Sequence, residues 1–408
     1  MSRARALRVA WAGSLVALLL STWPLWTPTS DAPRLPLPGP LAVIPPSVDY
    51  PLLLAALGAA IFAILSRGSR PIRWVVWTIA ALALLVSLDQ LRLQPWVYHA
   101  LLVGTLLTTC RDLRVIQLAR AIGISVYAYA GIAKFDHAFA TTLGQQFLAA
   151  ALGMVGADAE PLSAEVRTTL ALGLPLVELI VACLLLAGIW RKDAARAGCL
   201  IAATMHGAAI LLLSPLGLGH SLGVLVWNAC FAWQTWVLFW PGDEPADNGQ
   251  KPSFYERLAT VVVCIAIVAP LSSPWGVWDR WPSWGLYAPG GERATAFVHR
   301  GVWERLPDSV RCVSEEDHDP DQPWRKLPLD NWVLAERWAP IYPENRTATA
   351  IAAAIAQRYP LGDRVRVITE TRAGRISGER TADVVEGAEA LHEASSWWGV
   401  PQPVVWPD

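Results

Sequence analysis

The chain has 408 residues, is 54% hydrophobic and only 16% charged, and carries a formal net charge of −1. A soluble domain usually carries about 25% charged residues, and here the deficit falls in the first two thirds of the chain, which excludes an ordinary soluble globular protein and implies the lipid bilayer as partner. No basic, aromatic-interleaved patch points to nucleic acid.

In chain order, MSRARALRVAWAGSLVALLL has the basic start and apolar core of a signal peptide. The apolar run continues through Trp26 without a small-residue cleavage site, so a first spanning helix is the preferred reading. Since roughly 20 apolar residues cross a bilayer, about nine spans are expected, near 6–26, 49–66, 74–90, 95–110, 115–134, 168–190, 197–216, 221–240 and 258–275. The fourth is short. Segment 139–152 is more amphipathic and suits the membrane interface. Six cysteines occur, mostly within apolar runs, with no C-x-x-C pair, so no dithiol site or structural disulfide is implied.

Alternate loops differ in charge. One set holds Arg3, Arg5 and Arg8; Arg67, Arg70 and Arg73; Arg111 and Arg114; Arg191, Lys192 and Arg196; and Lys251 and Arg257. The other holds little beyond Arg34, Arg92 and Arg167. By the positive-inside rule the N-terminus is cytoplasmic, and nine spans then put the C-terminus outside a plasma or inner membrane.

Residues 1–275 thus read as a transmembrane bundle with its core at about 74–240, and residues 276–408 as an extracytoplasmic domain. Trp278, Trp281 and Trp284 mark the exit in the manner of interfacial aromatics. From residue 285 onward a small α+β domain is predicted. ATAFVHRGVW, RVRVITE and RISGER read as strands with TRAG as a turn, and TATAIAAAIAQRY reads as a helix capped near Asn345 or Thr347. The fold class is a mainly α-helical polytopic membrane protein with a small C-terminal α+β domain. Asn345-Arg346-Thr347 matches a glycosylation acceptor by letters alone. Pro289-Gly290-Gly291 reads as a turn rather than a phosphate loop, because no apolar helix follows it.

Ionisable groups within spans are costly and often functional. Arg120, Tyr127 and Lys134 are spaced by seven and share a helix face. Arg120 reads as an anchor of the cytoplasmic half, and Lys134 and Tyr127 with His99, Glu178, His206 and His220 form the candidate set. Each also has a packing explanation: Lys134 as a snorkelling residue, His99 and His220 as interfacial residues, His206 as an interhelical hydrogen bonder, and Glu178 as the partner of a neighbouring helix. The chemical reading is a lysine withdrawn from water, whose neutral amine acts as a base, with histidines sharing protons. That suits a weakly acidic, membrane-soluble molecule such as a quinol. Metal-ligand spacing is absent, since no H-x-x-x-H or H-E-x-x-H occurs.

YAYAGIAKFD, residues 127–136, resembles the Y-x-x-A-G-[VI]-x-K-[LF]-D segment of vitamin K-dependent gamma-carboxylase and its bacterial relatives, the HTTM-domain membrane proteins. LDQLRLQPWVYHALLVGTLL, MHGAAILLLSPLGLGHSLGVLVWN and WPSWGLYAPGGERATAFVH resemble further family segments in the same order, from about Asp89 to His299. The resemblance implies a quinol-dependent enzyme, with a reduced, vitamin K-like hydroquinone as cofactor. It places Lys134 as the base, His99 and His206 as further catalytic residues, and the chemistry at the outer face. Tyr127, Glu178 and His220 are expected to hold the quinol, and an extracytoplasmic protein is the expected substrate. The carboxylase has two adjacent lysines where this chain has Ala133 and Lys134. Two other functional classes fit the sequence. One is a redox-associated protein resembling DoxX/MauE membrane proteins. The other is a non-catalytic anchor for the outer domain.

Overall fold

The structure is a computed structural model and describes residues 2–37, 39–66, 70–245, 249–313, 322–395 and 404–406; Arg67 and the side chain of Arg70 lie outside them. Eight helices among the described residues are long and apolar enough to cross a membrane, not nine. They begin at Arg3, Pro46, Pro71, Asp112, Ala164, Lys192, Leu222 and Phe254. The ninth expected span is the helix Pro95–Thr109, whose 15 residues reach only about 22 Å at 1.5 Å per residue, short of the roughly 30 Å hydrocarbon core.

That short helix nevertheless runs between the two ends of the bundle. At one end Arg111 gives its backbone N–H and its Nε to Glu256, at the start of the last span. The same carboxylate closes a capping box with Ser253. One flank of this end is tied further in, where Arg3 and Arg120 share Glu244. At the opposite end, just before Pro95, the Arg92 guanidinium binds the Asp49 carboxylate at 2.5 and 3.1 Å.

Arg34 and Arg92, read from sequence as loop cations, are fully buried in a charge cluster with Asp49, Asp89 and Arg337. The chain between the first two spans folds back into the protein. Its Leu25 carbonyl accepts from Arg92 and its Ala32 carbonyl from Arg337. Leu35 N–H donates to Asp89, and Arg34 pairs its backbone with Val405. The C-terminal domain is therefore keyed into the bundle by both its helix Leu329–Arg337 and its last described residues.

The C-terminal domain is α+β. Strands β1 (Arg293–His299), β2 (Trp324–Leu327), β3 (Val365–Glu370) and β4 (Ala382–Glu386) form one antiparallel sheet in the order β2-β1-β3-β4. The helix Asn345–Arg358 packs Ile351 and Ile355 onto β1 and β3. β2 had no signal in the sequence reading. RISGER is not a strand; it forms the loop between β3 and β4, with Gly378 at φ +71. This loop stands on the bundle: Arg375 Nη2 donates to the Ile132 and Phe135 carbonyls that end the Asp112–Lys134 helix, and His137 N–H donates to the Arg375 carbonyl. Glu344, not Asn345 or Thr347, holds the cap position of the following helix. Asn345 donates to the Glu370 carbonyl and Thr347 is buried, which puts the Asn345-Arg346-Thr347 triplet inside the fold.

Trp281 and Trp284 are also not interfacial. Both are buried, Trp281 edge-on to Tyr342 and Trp284 against Tyr98. The exposed aromatic at the exit is Trp275.

Candidate functional site

A cavity of about 580 Å³ opens within the bundle. Its walls come mainly from the helices Asp112–Lys134, Leu143–Met154, Ala164–Ala187, Lys192–Leu213 and Leu222–Phe239. The predicted amphipathic segment 139–152 supplies Phe139 and Phe147, and Tyr287 of the exit segment joins them. Most of the lining is apolar. Its polar groups sit at two levels, set by Lys134 and Tyr127, which are seven residues and so about 10 Å apart along one helix face.

At the first level Lys134 Nζ lies 2.7 and 2.6 Å from the two oxygens of Glu178. The lysine side chain is 6% exposed and the glutamate 21%. Lys134 therefore does not snorkel. It is the last residue of its helix, where a cation suits the dipole. Glu178 follows Pro175, which has no N–H to give the Ala171 carbonyl and so interrupts the helix ladder beside the cavity. The bidentate pairing favours an ammonium on a carboxylate, not a free amine facing the histidines.

Gly131 permits this approach. A Cβ there would stand 2.7 Å from Leu179 and 3.0 Å from the Pro175 carbonyl. Gly131→Val is expected to push the two helices apart at a cost of about 1–3 kcal/mol, read as a lower thermal midpoint in detergent. Gly173→Val is the control, since its Cβ meets nothing within 4 Å; equal losses from the two substitutions would refute the close-approach explanation.

At the second level a hydrogen-bond chain links three helices. Asn228 Nδ2 donates to the Val224 carbonyl, which leaves Asn228 Oδ1 as the acceptor 2.9 Å from His206 Nδ1. A neutral His206 then carries its proton on Nδ1 and accepts at Nε2 from the Tyr127 hydroxyl, 2.9 Å away. That hydroxyl has one proton, so Thr235 Oγ1, at 3.0 Å, must donate to it. The geometry thus gives His206 the interhelical bonds, and Glu178 the partner helix, of their packing explanations.

His99 and His220 do not line the cavity. His99 is buried behind it, edge-on to Phe231 and Trp227 with ring centroids 5.4 and 5.6 Å away, and its ring makes no hydrogen bond among the described residues. His220 stands edge-on to Tyr287, and burial there pulls its pKa below the ordinary histidine value. Of the six residues expected at the site, four meet at the cavity: Lys134, Glu178, Tyr127 and His206.

Asn228, Thr235 and Tyr287 were not anticipated. Asn228 and Thr235 are seven apart in a largely apolar span, the same signal that marked Tyr127 and Lys134. Tyr287 and Trp284 both hold left-handed backbone conformations, φ 52 and 58, each costing on the order of 1–3 kcal/mol for a non-glycine residue. The exit turn is thus bent so that Tyr287 covers the cavity while Trp284 packs against His99. Gly219-His220-Ser221-Leu222-Gly223 also matches the letters of a serine elbow, G-x-S-x-G. No strand precedes it, and Ser221 simply occupies the cap of the Leu222–Phe239 helix, so the strand–turn–helix context is missing.

No family model, characterised protein or solved structure matches the chain.

Proposed function

We propose that this is a multi-pass membrane protein that takes a weakly acidic amphiphile of quinol type into the bundle cavity and removes a proton from its hydroxyl at the Lys134–Glu178 pair. The observation that carries this reading is an ion pair set in an otherwise apolar cavity, with a second polar group about 10 Å along the same helix. An apolar cavity of this kind with a few convergent polar groups is the usual form of a small-molecule site. A hydroquinone supplies an acidic hydroxyl on an apolar ring, and the lining fits both parts.

The pairing shifts the base role. Lys134 already holds its proton against Glu178, so Glu178 is the acceptor. The hydroxyl proton passes to the Glu178 carboxylate, and the Lys134 ammonium balances the charge left on the oxygen. Total charge is unchanged, which suits a site shielded from water. Tyr127, oriented by His206 and Thr235, is placed to recognise the other polar end. The resemblance to HTTM-domain and gamma-carboxylase-like proteins points to the same lysine but as the base itself, a role the pairing passes to Glu178, and His99 takes no direct part. With Arg111, Arg114 and Lys251 at one end and the α+β domain at the other, the positive-inside rule sets the N-terminus in the cytoplasm and the cavity near the outer face.

A second reading has its own support. Lys134 pairs with Glu178, and Tyr127 with His206 and Thr235, as packing devices do, which favours an anchor for the outer domain. The test is vitamin K hydroquinone binding and oxidation in proteoliposomes, comparing wild type with Lys134→Ala and Glu178→Gln. Saturable binding that weakens at least about tenfold in both variants supports the site. Absent or unchanged binding favours the anchor.

A further inference from the structure

A second pocket, of about 260 Å³, lies where the outer domain meets the ends of two spans. Its floor is apolar, from Ile132 at the end of the Asp112–Lys134 helix and Pro270 and Leu271 in the final turns of the last span. Its upper wall carries three arginines, Arg280, Arg372 and Arg375, against one carboxylate, Asp136. Two of the arginines are partly used. Arg375 donates through Nη2 to the Ile132 and Phe135 carbonyls. Arg372 donates through Nη1 to Ser273 and lies 3.9 Å from Glu292.

Arg280 is different. Its guanidinium makes no hydrogen bond or ion pair among the described residues, and its Nε is buried without a partner. Burial first, and then the charge of Arg372, press its pKa down to about 10 against the opposing pull of Asp136 and Glu344, neither of which forms an ion pair with it. Glycines make room for it. A Cβ on Gly291 would stand 1.2 Å from Arg280 Nη1, and one on Gly285 would stand 2.9 Å from its Cγ. A Cβ on Gly290 would meet Asp136 Oδ2 at 2.2 Å. Pro289-Gly290-Gly291 is thus a turn, and it is also the bed on which a buried guanidinium lies.

We infer that this pocket binds a phosphate group, held by Arg280 and Arg372 above an apolar floor. Guanidinium forks match phosphate oxygens in pairs, and the pocket has donors to spare. The surroundings point to the headgroup of an anionic phospholipid as the source. Ile132, Leu271, Trp275 and Val277 are all exposed around it, an apolar rim along which acyl chains can lie beside a bound headgroup. The inference rests on the membrane reading of the bundle and not on the chemistry of the larger cavity.

The experiment is a thermal-unfolding titration of the full chain in detergent, with dioleoylphosphatidylglycerol in one arm, inorganic phosphate in another and uncharged diolein as control. Wild type should gain several degrees, saturably, with the phospholipid and none with diolein. Arg280→Gln should shift the half-saturating concentration at least about tenfold. Ser273→Asp keeps the fold testable, because the new carboxylate pairs with Arg372, and it should abolish the response by occupying the phosphate position. A response to inorganic phosphate as strong as to the lipid, lost in the same variants, supports the phosphate site and assigns it to a free anion. No response in either phosphate arm, or a wild-type response in Ser273→Asp, overturns the inference. Hydroquinone binding measured on Ser273→Asp should be unchanged, which separates this site from the cavity.

Discussion

Asp49→Asn is expected to destabilise the protein by roughly 3–5 kcal/mol, the usual consequence of leaving a buried charge without its partner. Asp49 opens the second span and is fully buried. It binds Arg92 through both oxygens and lies 3.8 Å from Arg34. Asp89 is the only other carboxylate in the cluster among the described residues, 3.9 Å from both Arg92 and Arg337. Three guanidinia already face two carboxylates; the substitution leaves three facing one. The damage should spread, because the same arginines hold the Leu25 and Ala32 carbonyls and so fix the chain that receives the C-terminal domain. The measurement is the thermal midpoint and the monodisperse fraction after detergent extraction, with limited proteolysis reporting release of the helix Leu329–Arg337. Asp193→Asn is the control: its ion pair with Arg196 is exposed and spaced i,i+3 on one helix, and its loss should leave the midpoint unmoved. A midpoint for Asp49→Asn equal to that of the control would show that the cluster does not hold the two parts together.

The sequence made the spans legible because a bilayer demands long apolar helices, and composition alone reports those. It did not make their polar partners legible. Arg34 and Arg92 look like loop cations in a list of residues, since Asp49 and Arg337 lie far along the chain from Arg92 and only Asp89, three residues before it, is local. Lys134 and Glu178 were each conspicuous as ionisable groups in spans, yet 44 residues separate them and no local pattern joins them. His99 stood out for the same reason, and Phe231 and Trp227 put it behind the wall. The seven-residue spacing of Asn228 and Thr235 was available and overlooked. In the C-terminal domain RISGER alternates like a strand, but Gly378 turns it into the loop that seats on the bundle. Trp281 and Trp284 sit at the expected place in the chain, and the bend of the exit segment turns them inward.

Lys134→Met and Glu178→Leu, made singly, are each expected to lower stability by about 3 kcal/mol, and made together to recover most of that loss. The single changes leave a carboxylate or an ammonium alone in an apolar cavity. The double change leaves two apolar side chains of similar length, with no charge to desolvate. The thermal midpoints of the four proteins give the coupling directly. Their value lies in what stability does not decide. If the pair only fastens the Asp112–Lys134 helix to the Ala164–Ala187 helix, the double variant should match wild type in every respect, hydroquinone binding included. If Glu178 takes a proton and Lys134 holds the charge that remains, the double variant should be well folded and unable to bind or turn over the hydroquinone. A stable double variant with wild-type turnover would remove the proton-transfer role from this pair and leave the cavity as a packing defect.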